Sequence, residues 1–185
     1  RRVAAGQLRG RLIRYADDFV LLAPRRPEAE WAWVQAVMGR LGLRLHATKT
    51  RVLNVAEDDF VFLGHTHRWR YGRLYLDVSK KALGRIRDEL RRKTRRTGLD
   101  LAALVADLNP YVRGARQYFR RVRRRTLSKL DYFVSQRIAR WGKRKYALPC
   151  PAWSLVSGGS LWRRHGLERW NLPPGLRPAD SRRAS

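Results

Sequence analysis

Residues 14–22 read RYADDFVLL, from Arg14 to Leu22. Two adjacent carboxylates, Asp17 and Asp18, interrupt a run of residues that favour β-strands. With Leu12 and Ile13 ahead of the pair and Phe19 to Leu22 behind it, the stretch predicts strand, tight turn, strand. Aspartate tolerates the unusual backbone angles of such a turn. Like charges held side by side in a half-buried strand pair repel, and a cation relieves the repulsion. Mg²⁺ suits the position, because it is hard, prefers oxygen and is commonly held by one or two carboxylates plus substrate phosphates. Paired metal ions of this kind clamp the attacking and leaving oxygens in phosphoryl transfer. A solvated turn is the plain alternative.

Outward from the hairpin, Pro24 and Pro27 break the strand pattern. From Glu28 to Leu41 the apolar residues Trp31, Val34, Val37, Met38 and Leu41 fall on one helical face. Gly42 follows as a C-terminal cap. The stretch LRLHATKTRVL, residues 43–53, reads as strand, small loop, strand. DFVFLGHTHRW and GRLYLDVS, residues 59–69 and 72–79, read as a strand and a hairpin around Tyr71-Gly72. After Ser79, itself a candidate N-cap, the period becomes helical, with Leu83, Ile86 and Leu90 as a stripe. GLDLAALVADL predicts a short second helix. Asn109-Pro110 predicts the start of a third, whose face carries Val112, Ala115, Tyr118 and Phe119. A fourth helix is predicted from Thr126 or Ser128, with Leu127, Leu130, Val134, Ile138 and Trp141 inward. Beyond Tyr146 the chain is rich in proline and glycine, and Trp153, Trp162 and Trp170 are its candidate anchors.

The fold class implied is α+β, a small sheet with a helix followed by a helical half. The 185 residues carry 42 Lys and Arg against 15 Asp and Glu, a formal charge of +27. Such a charge points to a polyanionic partner, RNA or DNA. It is uneven: residues 1–79 have a net charge of +6 and residues 80–185 a net charge of +21. No apolar run is long enough for a transmembrane helix. A single cysteine, Cys150, excludes an internal disulfide and fits a reducing, cytoplasmic setting. His65 and His67 are a candidate metal pair, but no third ligand falls at a useful spacing, which argues against zinc.

YADDFVLL resembles the Y-x-D-D palm motif of reverse transcriptases, in the YADD form of group II intron reverse transcriptase/maturases. LGLRLHATKTRVL resembles the next palm block, with Lys49-Thr50 at its Lys-Thr. FVFLG, Phe60 to Gly64, resembles the block that shapes the primer grip. LNPYVRGARQYFRRV and TLSKLDYFVSQRIARWGKRKY resemble the maturase-specific thumb, called domain X. The four blocks occur in the family's order, over about residues 11 to 146.

The resemblance implies a palm remnant over 1–78, the thumb or domain X over 79–146, and a basic tail over 147–185. It implies an RNA-directed DNA polymerase/maturase that binds intron RNA to assist splicing and mobility, in a bacterial, nucleoid-associated cytoplasmic setting. Group II intron RNA is the implied partner, with target DNA as a further one. Asp17 would ligate catalytic Mg²⁺ and Asp18 would support it. Tyr15 would face the primer end or template, Lys49 the incoming nucleotide, and Phe62, Leu63 and Gly64 the primer strand. The family takes a third metal carboxylate from an earlier strand, and the ten residues before Arg11 hold no Asp or Glu. The expectation is therefore that this chain alone does not polymerise DNA. The alternative is a non-catalytic, RNA-binding maturase remnant.

In the helical half Arg113, Arg116, Arg120, Arg123 and Arg124 recur at helical spacing, and Lys143, Arg144 and Lys145 close the last helix. A row of this kind suits RNA phosphates, which arginine binds through two parallel hydrogen bonds. Tyr111, Tyr118, Phe119, Tyr132, Phe133 and Trp141 are read mainly as core.

Overall fold

The computed structural model describes residues 10–23, 27–46, 48–157 and 160–171. The chain divides into two compact units, Arg1–Asp58 and Asp59–Ser185. The architecture is α+β, with small antiparallel sheets and helices.

In the first unit β1 (Arg11–Tyr15) pairs antiparallel with β2 (Asp18–Leu22), register Ile13 to Val20 and Tyr15 to Asp18. The two-residue turn between them holds Ala16 at φ +52°, a backbone region that side chains other than Asn, Asp and Gly visit rarely. Arg14 steadies it by donating Nε–H to the Ala16 carbonyl at 2.7 Å. Helix α1 (Glu28–Arg40) follows and buries Glu30 and Val34. Gly42, at φ +67°, ends it. Leu43 N–H reaches the Met38 carbonyl at 2.9 Å and Gly42 N–H the Gly39 carbonyl at 3.1 Å. Those two bonds satisfy carbonyls that the helix end leaves open. The two strands expected in residues 43–53 are absent among the described residues there. A strand needs a partner for its exposed N–H and C=O groups, and among the described residues the sheet of this unit has two strands.

In the second unit β3 (Phe60–Phe62), β4 (His65–Arg70) and β5 (Arg73–Val78) form a three-stranded meander. The sequence reading placed one strand where β3 and β4 lie. A turn at Leu63-Gly64 divides them. Leu63 and Gly64 have φ of +48° and +73°, and Tyr71 and Gly72 have +53° and +70°. Positive φ at both central residues gives the twist that matches paired strands. Four helices follow: α2 (Lys80–Lys93), α3 (Leu101–Tyr118), α4 (Arg124–Lys145) and the short α5 (Ser160–Arg163). Ser79 caps α2 through Oγ, which accepts Ala82 N–H at 3.2 Å, and Asp100 caps α3 by accepting Ala103 N–H at 2.7 Å.

Helix α3 is continuous across Asn109-Pro110, where the sequence suggested a new helix. Proline removes one backbone bond and costs about 3 kcal/mol inside a helix. Packing on both sides outweighs this, since Leu108 and Val112 are fully buried. Asn109 is occupied elsewhere: its side-chain N–H donates to the Gly166 carbonyl at 3.0 Å, and its Oδ1 accepts Glu168 N–H at 2.8 Å. Helix α4 begins at Arg124, two residues before the earlier of the two expected starts. Its stripe is as read, with Leu127, Leu130, Val134, Ile138 and Trp141 all buried against Ile86, Leu90, Leu104 and Leu108.

The tail packs onto this core through Leu161, Leu167 and Trp170. Of the three expected anchors, Trp170 is buried, Trp162 is half-buried and Trp153 is exposed. Asp131, buried in α4, accepts the N–H groups of Trp170 at 2.7 Å and Asn171 at 3.1 Å. Burial raises its carboxyl pKa above the usual aspartate range, against those two hydrogen bonds and the charges of Arg169 and Arg116. At Gly142 an added Cβ would lie 2.7 Å from Leu155 Cδ1 and 2.8 Å from Ala152 Cβ. Only a bare Cα lets the segment after α4 fold back here.

Candidate nucleic-acid interface

A cluster of positive charge lies where the C-terminal half of α4 meets the end of α2. Thr94, which ends α2, is fully buried. Its Oγ1 donates to the Leu90 carbonyl at 2.7 Å and accepts Arg137 Nε–H at 3.0 Å. Its carbonyl accepts Arg144 Nη2–H at 2.6 Å. Cationic donors at a helix C-terminus satisfy its open carbonyls and favour its dipole. Trp141 Nε1–H and Lys145 Nζ extend the pattern, donating to the carbonyls of Arg96 at 2.8 Å and Thr97 at 3.1 Å.

The same arrangement concentrates like charges. Burial lowers the pKa of Arg137, and the charges of Arg144, Arg140, Arg91 and Arg95 lower it further. Of these five arginines, Arg91 alone has an acidic partner among the described residues, Asp88 at 2.6 Å. Arg95 and Arg140 are exposed and make no side-chain hydrogen bond there. The guanidinium groups of Arg87 and Arg91 lie 5.7 and 5.5 Å from the centre of the Phe133 ring, which orients them without consuming their hydrogen-bond donors. Such a face can take up successive phosphates with bidentate contacts.

The arginines expected to form one row are distributed differently. Helix α3 ends at Tyr118, so Arg120 and Arg123 sit in the connection to α4, and Arg124 opens that helix. Arg113 and Arg116 converge on Glu168, at 3.2 and 2.7 Å. Arg123 donates its backbone N–H to the Leu76 carbonyl at 3.1 Å, and its guanidinium lies 5.5 Å from the Tyr75 ring centre. Arg120 and Arg124 are exposed. Lys143, Arg144 and Lys145 each give a hydrogen bond to a backbone carbonyl, of Pro149, Thr94 and Thr97. Lysine carries three N–H donors and arginine five, so donors remain for an anion. Tyr118 and Tyr132 are exposed aromatic surfaces, whereas Phe119 and Trp141 are buried.

Asp17 lies in the turn of the first hairpin and Asp18 opens β2 opposite Tyr15. Both carboxylates and Tyr15 are exposed. Solvent therefore screens the repulsion that a half-buried pair would suffer, and the hairpin does not require a cation. Lys49 is exposed in a turn and forms no ion pair with either Asp among the described residues. Two adjacent carboxylates supply the hard oxygens Mg²⁺ prefers. No group of three or more His, Cys, Asp or Glu that could hold a metal ion occurs among the described residues. The donors among the described residues fall short of a two-metal clamp.

Phe62, Leu63 and Gly64 belong to the second unit, where they seat the sheet on the helices. The Leu63 carbonyl accepts the Tyr118 hydroxyl at 2.9 Å, and the His65 Nδ1 lies 2.9 Å from it. An added Cβ on Gly64 would meet Ala82 Cβ at 3.6 Å and the Phe119 ring at 3.8 Å. Ser79 N–H bonds the Gly64 carbonyl at 2.9 Å. His67 stacks on Phe60 with centroids 4.6 Å apart, and burial and then His65 lower its pKa. Both histidines act as packing groups.

Of the arginines in the α2–α4 cluster, only Arg144 was singled out in sequence. The cluster's signal was present: Arg87, Arg91 and Arg95 recur every four residues, the last just beyond the end of α2, and Arg137, Arg140 and Arg144 recur at three and four on one face of α4. No helix of the described residues is long and apolar enough to cross a membrane. Among curated proteins, none matches the chain. Residues 83–155 match the family described as group II intron, maturase-specific domain. The match spans α2 from Leu83 through the Trp153–Leu155 turn and contains the whole arginine cluster. It supports a group II intron maturase C-terminal region.

Proposed function

We propose that this chain, whose residues 83–155 match the group II intron maturase-specific domain, grips its intron RNA through the α2–α4 arginine face and so assists splicing of that RNA. The observation that carries the reading is the convergence of Arg137 and Arg144 on Thr94 inside the matched segment, where Arg91, Arg95 and Arg140 add like charge. A cluster of this kind, in which only Arg91 has an acidic partner among the described residues, stores repulsion that a polyanion relieves. Structured RNA is read largely through shape and backbone, which fits a face rich in arginine. Intron RNA is the proposed partner, target DNA a further one for mobility, and the nucleoid-associated bacterial cytoplasm the proposed setting. The test is filter binding of the full chain to a folded group II intron RNA. Salt-sensitive binding supports the reading, and binding absent at low salt removes it.

For the first compact unit, we propose that Asp17 and Asp18 belong to the metal-holding hairpin of an RNA-directed DNA polymerase, with Tyr15 and Lys49 beside the primer and nucleotide. When bound, Mg²⁺ would supply charge neutralisation at the transferred phosphate. The chain on its own is proposed not to polymerise. A second reading, a non-catalytic RNA-binding maturase, is favoured by the exposed carboxylate pair without a convergent third ligand among the described residues. Primer extension on an RNA template tests what both readings expect of this chain: robust Mg²⁺-dependent synthesis that Asp17→Asn abolishes would overturn its proposed inactivity and the non-catalytic reading alike.

A further inference from the structure

A cavity of about 230 Å³ opens where the three-stranded sheet meets the starts of α2 and α4. Its cationic lining is Arg68, Lys80, Arg87 and Lys129, against a single acid, Asp77. We propose that this cavity is a phosphate-binding site that seats one phosphodiester of the bound RNA.

The lining decides the class of ligand. Asp77 is already engaged, since its Oδ1 accepts the Thr126 hydroxyl at 2.6 Å and Val78 N–H at 2.9 Å. Arg68 is held by Asp59 at 2.7 Å. Lys80 and Lys129 have no partner among the described residues, and both are exposed toward solvent. Arg87 is the informative group: its Nε is buried and bonds to nothing in the described structure. A buried charged donor left unpaired is costly, and an anion in the cavity is what would satisfy it. The Phe133 ring lies 5.7 Å from the Arg87 guanidinium and fixes its plane.

Size and shape point the same way. Pockets that enclose whole small molecules run from about 300 Å³ upward, so a complete nucleotide is too large to be swallowed. No aromatic ring lines the cavity, so a base has no face to stack on. A phosphate with its nearest sugar atoms fits both the volume and the charge. The site lies on the sheet side of α2, and Leu83 and Arg87 of its lining belong to the maturase-specific domain.

The inference rests on the RNA-binding reading above, and its test separates the two. The full chain and a Lys80→Gln/Lys129→Gln variant are titrated with folded intron RNA across a salt series. A second variant, Lys81→Gln/Arg85→Gln, removes the same charge from exposed positions of α2 outside the cavity. Loss of one phosphate contact lowers the salt slope by about 0.7 to 0.9. The expected result is that fall for the cavity variant and a smaller one for the second variant. Equal falls in both variants mean bulk charge and overturn the site. Wild-type chain that binds no RNA sinks the functional reading instead. Inorganic phosphate is the third arm. Thermal stabilisation of the wild type by phosphate, lost in the cavity variant while the RNA slopes stay equal, identifies a free-anion site and overturns the phosphodiester assignment.

Discussion

Replacing Arg95 and Arg140 together by glutamine separates electrostatics from folding. Both side chains are exposed, and neither has a hydrogen-bond or ion-pair partner among the described residues. Their removal costs no packing, and changes at such surfaces usually stay within about 0.5 kcal/mol. Both also lower the pKa of Arg137 by repulsion, so their loss eases Arg137 and the melting temperature holds or rises. Binding responds differently. Each phosphate contact contributes about 0.7 to 0.9 to the slope of log affinity against log salt, and two contacts about 1.4 to 1.8. Between 50 and 200 mM salt, a fourfold change, the wild type then loses about 7- to 12-fold more affinity than the variant. The assay is filter binding to intron RNA at four salt concentrations, with a thermal melt alongside. An unchanged slope refutes the interface. A melting temperature several degrees lower refutes the claim that these two arginines are spare to the fold.

The remaining predictions concern the tail, the core and the hairpin. Asp131 has a folded pKa raised by burial, so the stability tied to its protonated form is full below its ordinary value of about 4 and is lost as pH rises through the raised value. The stability of wild type relative to Asp131→Asn should therefore fall as pH rises above about 4 in urea unfolding; a difference that grows in favour of wild type with pH would show the carboxylate to be favoured in the fold. Gly142→Ala should cost about 1–3 kcal/mol through overpacking against Leu155 and Ala152, read as a lower urea midpoint with an unchanged slope, and an unaltered midpoint would contradict the close approach. Leu108→Ala should cost about 2–5 kcal/mol, because Leu108 is fully buried in α3; a loss under 1 kcal/mol would mean that α3 is not a core helix. Asp17→Asn/Asp18→Asn should leave RNA binding within twofold, since the pair lies in the other compact unit from the arginine cluster, and a large loss would place the hairpin in the RNA contact.

What was legible in the sequence had a period. The Leu127 to Trp141 stripe, the Leu83 to Leu90 stripe, the Ser79 cap and the Gly42 terminus all follow from spacing or from one residue's backbone freedom. The YADD hairpin was legible from its strand formers and paired carboxylates. The turn at Leu63-Gly64 was missed because FVFLGHTHRW is uniformly strand-forming and the signal rests on one glycine. Pro110 misled for the opposite reason. Its local rule is strong, and burial of Leu108 and Val112 with the Asn109 bonds to Gly166 and Glu168 overrides it from more than fifty residues away. The cluster around Arg137 is likewise non-local, since α4 supplies Arg137, Arg140 and Arg144 while Arg91 and Arg95 come from α2 and the turn after it, and only packing joins them. Exposure of Asp17 and Asp18 was also beyond a sequence pattern, because apolar neighbours on a two-stranded sheet do not fix which face is covered.

The most direct test of the central claim is a competition measurement on the full chain at about 0.15 M salt, with folded group II intron RNA against duplex DNA of equal length. A face that reads RNA shape predicts at least tenfold tighter binding to the intron RNA. Equal affinity for the two would mean that the +27 charge alone is at work, and would contradict a maturase role for the α2–α4 face.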